Sequence, residues 1–213
     1  MHLSVFDLDH TLLNVNSSFR FGSFLYRQNF FSFWKLVGCL RDYARYQWLG
    51  MSIQDLHAKT FRRVFKGQAL QEVCHYVDQF LTESLDKMIY QPAIQRLKKS
   101  QDAGDYVLIL SSSPDFLVRE IAHRFEVKHW KSTIYQCNEE GKLETIAQVM
   151  EGQNKADYLK GLIQQLNMDR TAITVYSDSY LDLPLLNMAG RAIGVGPDHR
   201  LKRICLQKGW EIL

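Results

Sequence analysis

Past residue 105 the chain alternates two rhythms that few architectures accommodate. YVLIL (Tyr106–Leu110) is a continuous apolar run, the pattern of a strand buried on both faces, and Ala172 to Tyr176 and Ala192 to Val195 read as further short strands. Helical stretches separate and follow them. One starts at Pro114 and runs through Phe125, one runs from about Lys155 to Leu166, a short one follows Leu181, and the last starts at Asp198. Thr133 to Ile146, with EEGK in its middle, reads as a hairpin, and Leu3 to Leu8 is a further buried strand. Strand and helix in alternation predict an α/β fold, a mostly parallel sheet with helices on both faces.

One block breaks the alternation. From Ser17 to about Met88 there is no strand signal, and apolar residues recur at three and four (Phe21, Phe24, Leu25; Leu36, Leu40, Tyr43; Val73, Val77, Phe80, Leu81), which predicts amphipathic helices. Between Val15 and Lys66 nine Lys or Arg face only Asp42 and Asp55, a balance of 9 − 2 = +7 in a chain of net +3. The same segment holds 13 of the 26 aromatic residues. The expected organisation is therefore a core formed by residues 1–15 and 89–213, with an all-helical cap, residues 16–88, inserted after the first strand.

In open α/β sheets ligands sit at the carboxyl ends of the strands, and that rule gathers scattered residues into one site. Asp7 and Asp9, with Thr11, stand where the first strand ends; Ser111, Ser112 and Ser113 follow YVLIL; Asp178 and Asp182 follow the strand ending at Tyr176; Lys155 opens the helix before it. A phosphate ester repels anionic nucleophiles, so its hydrolysis needs cations and donors around the non-bridging oxygens. Carboxylates that hold a hard divalent cation, a Lys point charge and a hydroxyl at a helix start supply them. Two acids one residue apart can divide the remaining work, one attacking phosphorus and one protonating the leaving alcohol.

D-x-D-x-T at Asp7 to Thr11, the strand ending in Ser111, Lys155, and D-x-x-x-D at Asp178 to Asp182, in that order, resemble the haloacid dehalogenase (HAD) superfamily. The likeness spans essentially the whole chain. The helical insertion is similar to the cap of its phosphoserine-phosphatase-like branch, and LSSSPDFL and YSDSYLDLPLL look closest to subfamily IB. The resemblance implies a Rossmann-like core and a Mg²⁺-dependent phosphomonoesterase. Asp7 would be the nucleophile, forming an aspartyl-phosphate and binding the metal; Asp9 would be general acid/base and lend its backbone carbonyl to the metal. Ser111, Ser112, Thr11 and Lys155 would bind the phosphoryl group, and Asp178 would ligate the metal with Asp182 in support. An acid at position 9 fits a phosphatase, since dehalogenase members lack one there and ion-pumping ATPases carry Thr. Ser177 replaces the Gly of many relatives. Asn16 stands near the place of the Glu that holds the amino group in phosphoserine phosphatases, which argues against phosphoserine itself; Asn16 and Arg20 are the expected specificity positions.

Composition narrows the setting. Cys39, Cys74, Cys137 and Cys205 are scattered without a C-x-x-C pair, which fits reduced thiols in a cytoplasm. An acidic strand starting almost at Met1 is not what a signal peptide is expected to look like, and the longest greasy stretch, Phe30 to Leu40, is interrupted by Lys35 and too short to span a bilayer. No nucleic-acid motif accompanies the basic block. Its aromatics (Phe19, Phe24, Phe30, Phe31, Phe33, Trp34, Trp48) are expected to form the core of a four-helix cap; the competing reading is peripheral contact with an anionic membrane or a lipid head group as substrate. The expected partner is a phosphorylated small molecule or lipid head group. A phosphotransferase passing the group to an alcohol would use the same residues, and a non-catalytic binding protein would be expected to lack one of the two acids.

Overall fold

A computed structural model describes residues 2–213. β1 (Leu3–Phe6) leads through a turn at Leu8–Leu12 into α1 (Ser17–Arg27), α2 (Phe33–Trp48), α3 (Ile53–Thr60), a single wide turn at Phe61–Phe65, and α4 (Leu70–Met88). There follow α5 (Gln91–Asp102), β2 (Tyr106–Pro114), α6 (Asp115–Arg124), β3 (His129–Cys137), β4 (Leu143–Gln148), α7 (Gly152–Leu166), β5 (Ile173–Ser177), α8 (Leu183–Leu186), β6 (Arg191–Gly194), α9 (His199–Lys208) and β7 (Glu211–Ile212). The strands form one sheet in the order β4-β3-β2-β1-β5-β6-β7, parallel except for β4, which pairs antiparallel with β3. The mostly parallel sheet expected from the alternation is present.

Strand order reverses at β1, which lies between β2 and β5 with Phe6 level with Ile109 on one side and Tyr176 on the other. This is the switch point at which an open sheet leaves a crevice. Side chains alternate about the sheet plane. Leu3 and Val5 join Leu108, Leu110, Ile173 and Val175 under α7, α8 and α9. Phe6, Ile109 and Tyr176 face the opposite layer, where the Phe6 and Tyr176 rings stack at 4.3 Å.

That second layer reaches into the helices of the inserted block. Phe21 of α1 lies 5.5 Å from Phe80 of α4 and 6.3 Å from Phe116 of α6, ring centre to ring centre. One core thus binds α1 and α4 to the sheet. The chain leaves and re-enters beside β1 at a narrow neck, where Leu13 and Ile89 pair as an isolated antiparallel bridge. The Asn14 N–H donates to the Met88 carbonyl at 2.8 Å, and the Tyr90 N–H donates to the Leu12 carbonyl at 2.9 Å.

α2 corrects the expectation that the aromatics build a core. Its one fully buried residue is Asp42, which accepts from Arg63 Nη1 at 2.6 Å. Gly38 leaves room for that guanidinium, since a Cβ there would lie 2.6 Å from Arg63 Nε. Phe24 and Phe31 are buried, but Phe33, Trp34 and Trp48 face solvent, the two indoles at 79% and 82% exposure. Helical spacing defines a stripe without saying what covers it, and here the inner side of α2 combines the Asp42–Arg63 ion pair with packing of Leu36 and Cys39 against the core. Two smaller differences concern β2, which continues to Pro114 because Pro114 pairs with Thr133, and the two-residue strand β7, which the sequence reading omits.

Candidate active site

Asp7 immediately follows β1, and its N–H donates to the Tyr176 carbonyl at 2.9 Å, fixing it across the switch point. Extending the register by one residue sets Asp7 level with Leu110 and Ser177. Ser111 and Asp178 come one step later, so three strand ends converge. Lys155, one turn into α7, is buried and bridges two acids: Nζ donates to Asp7 Oδ1 and to Asp182 Oδ2, both at 2.8 Å. Ser177 Oγ adds a 2.8 Å bond to the same Asp182 oxygen. Asp7 Oδ2 has no hydrogen-bond partner among the described residues, so one carboxylate oxygen is held and the other is free.

Asp9 occupies the turn after β1, with its direction set by His10 in the left-handed region at φ 58°. Its Oδ1 accepts from the Ser17 N–H at the start of α1, and its Oδ2 accepts from Ser113 Oγ, both at 2.6 Å. Ser18 Oγ lies 2.7 Å from Ser113 Oγ and extends the chain of hydroxyls. Asp9 is thereby clamped beside Asp7 by a helix start and a strand end. Thr11 Oγ1 donates to Asp178 Oδ1 at 3.3 Å.

Charge is out of balance. Burial pushes the Asp7 carboxyl up to about 7; Lys155 opposes this, while Asp182 and Asp9 add to it. Burial, then Asp7 and Asp182, push Asp178 up to about 8 against the pull of Lys155. For Lys155 burial favours the neutral amine, but Asp182 and Asp7 outweigh it and its pKa is raised. One ammonium cannot neutralise three neighbouring carboxylates, and a site so arranged favours an added cation. Among the described residues no three His, Cys, Asp or Glu side chains converge as a ready cage. A cation here would rest on the Asp7 and Asp178 carboxylates, a backbone oxygen and water, the set that suits Mg²⁺.

The expected residues do not all meet. Asp7, Lys155 and Asp182 form one bonded group, Thr11 and Asp178 a second, and Asp9 is held in a third with Ser17 and Ser113; Asp7 feels the charges of Asp9 and Asp182, and Asp178 those of Asp7 and Asp182. Ser111 is buried in β2, where its Oγ accepts from the Ser113 N–H at 3.1 Å. Ser112 is turned the other way along the strand, and its carbonyl accepts from Thr133 Oγ1 at 2.6 Å. Asn16 caps α1, accepting from the Phe19 N–H at 2.8 Å, and Arg20 is exposed on the same helix. Ser113, placed at the site from the sequence but given no role there, binds Asp9 directly; strand alternation puts it on the same face as Ser111. One residue has no such sequence signal. Gly152 starts α7 against the Leu181 carbonyl, with which any Cβ would collide, and that close approach brings Lys155 to Asp182. Nothing local in the sequence marks it.

The family model for haloacid dehalogenase-like hydrolases matches residues 4–187, and the chain belongs to that family. It is 27% identical over 213 residues to a phosphoserine phosphatase of Mycobacterium tuberculosis, covering 97% of this chain and 68% of the relative. A histidinol-phosphatase of Neisseria meningitidis is 24% identical over 228 residues, covering 100% of this chain and 98% of the relative. The solved structure of a Bordetella pertussis protein of unknown function shares the fold at TM-score 0.89 and 21% identity, covering 99% of this chain and 97% of that one.

Proposed function

We propose that the protein is a Mg²⁺-dependent phosphomonoesterase that works through an aspartyl-phosphate on Asp7. The observation that carries this is the unequal treatment of the Asp7 carboxylate: Lys155 holds Oδ1, Oδ2 has no partner among the described residues, and Asp9 is clamped two residues further along. Asp7 Oδ2 attacks phosphorus; the bond to the ester oxygen breaks, and Asp9 gives that oxygen its proton. Asp9, now a carboxylate, takes a proton from water. The resulting hydroxide attacks phosphorus, orthophosphate leaves, and Asp7 is restored. Lys155, with donors around Ser111 at the end of β2, offsets the charge on the non-bridging oxygens. Mg²⁺ held by the Asp7 and Asp178 carboxylates and the Asp9 carbonyl would supply further positive charge there.

In this reading residues 16–88 act as a cap on a core of residues 1–15 and 89–213, hinged at the neck between Leu13 and Ile89. The substrate is a phosphorylated small molecule or a lipid head group. The solvent-facing Phe33, Trp34 and Trp48, interspersed with Lys35, Arg41 and Arg45 on α2, support contact of the cap with an anionic membrane surface; among the described residues no helix is long and apolar enough to cross one. The four cysteines are unpaired, in keeping with work in a reducing compartment.

The test is phosphate release from a panel of phosphomonoesters with Mg²⁺ or EDTA, for the wild type and Asp7→Asn, with and without an added alcohol as acceptor. Release that needs metal and vanishes in Asp7→Asn is expected. Transfer to the alcohol in preference to water would make the enzyme a phosphotransferase, and turnover by Asp7→Asn would overturn the assignment.

A further inference from the structure

Beside Asp9 and Ser113 a cavity of about 180 Å³ runs between α1, α2, α3 and the ends of β2 and β3. Phe19, Leu40, Leu56 and Tyr135 are among its walls, and no Asp, Glu, Lys or Arg is among the residues that line it. Several of its polar groups are already engaged: Asn16 and Ser23 bond the backbone of α1, Ser18 bonds Ser113, and His57 Nδ1 lies 3.3 Å from the Tyr135 hydroxyl. Burial holds His57 neutral, its pKa lowered to about 4. A charged ammonium or carboxylate placed here would lose its water without gaining a counter-charge. An apolar body would find carbon on most sides, as in most small-molecule sites.

Resting on the phosphatase reading, we propose that this cavity holds the leaving group, and that the substrate is the phosphate monoester of an uncharged, predominantly apolar alcohol. Ser113 ties the two places together. Its hydroxyl donates to Asp9, the residue assigned to protonate the leaving oxygen, and it also lines the cavity, so the alcohol bonded to that oxygen extends into the apolar space. Gly22 lies on the same face of α1 as Ser18, Phe19 and Ser23, and a Cβ at position 22 meets nothing within 4 Å. Gly22 is itself among the lining residues, so a larger side chain at this position has room to grow beside the cavity.

The test uses n-alkyl phosphates from ethyl to hexyl, whose leaving oxygens are chemically alike, with benzyl phosphate to distinguish a ring from a chain and with phosphoserine, histidinol phosphate and phosphoethanolamine as charged esters. kcat/KM is expected to rise about fourfold per added methylene until the cavity is full, and the charged esters to fall at least tenfold below hexyl or benzyl phosphate. Gly22→Leu should pull the hexyl-to-ethyl ratio towards one. Binding of the same esters to Asp7→Asn, read as a shift in melting temperature, separates the two claims: a chain-length dependence in binding without phosphate release in the wild type would sink the phosphatase reading and keep the cavity assignment. A flat response to chain length in both readouts, or a preference for a charged ester, would overturn the assignment of the cavity.

Discussion

Replacing Lys155 by Met removes the one cation buried between Asp7 and Asp182 and leaves a side chain of similar length. Two charge-assisted bonds of 2.8 Å are lost, and two buried carboxylates then face each other uncompensated. Breaking a buried pair from one side costs about 3–5 kcal/mol. Proton uptake by one acid relieves part of that, because the Asp7 carboxyl already sits near 7, so a net loss of about 2–4 kcal/mol is expected. That is a large share of the roughly 5–15 kcal/mol that holds a domain together. The effect reads directly in urea unfolding followed by tryptophan fluorescence, with Trp130 and Trp210 packed against the two cores as reporters. Lys155→Met/Asp182→Asn removes one charge of each sign and should regain at least about 1 kcal/mol relative to the single variant, since residues in contact couple. Phosphate release should stay lost in both. An unfolding midpoint for Lys155→Met equal to that of the wild type, or a double variant less stable than the single one, would refute this account of the site's electrostatics.

Three further expectations bear on separate parts of the structure. Asp9→Asn keeps one acceptor for the Ser17 N–H, so it should fold normally while kcat/KM falls about 10²–10⁴-fold on alkyl phosphates; the loss of kcat/KM should be much smaller on p-nitrophenyl phosphate, whose leaving oxygen needs no proton, while kcat falls on both because Asp9 also serves the hydrolysis of the aspartyl-phosphate. Gly152→Ala should displace the start of α7 from the Leu181 carbonyl and lower both the melting temperature and kcat, whereas Gly161→Ala, in the open middle of the same helix, should raise stability by about 0.5–1 kcal/mol. His57 takes a proton more readily when unfolded, near pH 6.5, than when folded, near 4. Its contribution is therefore complete above about pH 6.5 and is lost as pH falls towards 4, and a pH series of unfolding midpoints should lose that slope in His57→Gln.

The acids and Lys155 were legible because each stands at the end of a recognisable apolar run or beside one, and the topology of a parallel sheet brings such ends together. The hairpin and the alternating strands were legible for the same reason, since their periods are local. The role of Ser113 was not legible because the apolar run stops at Leu110, while pairing with β3 carries the strand to Pro114 and so fixes which way each serine faces. Gly152 was invisible because its necessity lies in a carbonyl almost thirty residues away. The orientation of α2 was invisible for a related reason: Phe33, Trp34 and Trp48 look like core residues until Arg63 is seen to hold Asp42 on the inner side, with an open cavity where packed side chains were expected.

The central claim is that Asp7 carries the phosphoryl group, and acid quenching of the wild type during turnover of benzyl phosphate with Mg²⁺ tests it directly. Peptide mapping by mass spectrometry should find one phosphoryl group on the peptide containing Asp7, removable by hydroxylamine as an acyl phosphate is, and none in Asp7→Asn. A phosphoryl group on any other residue, or continued turnover by Asp7→Asn, would contradict it.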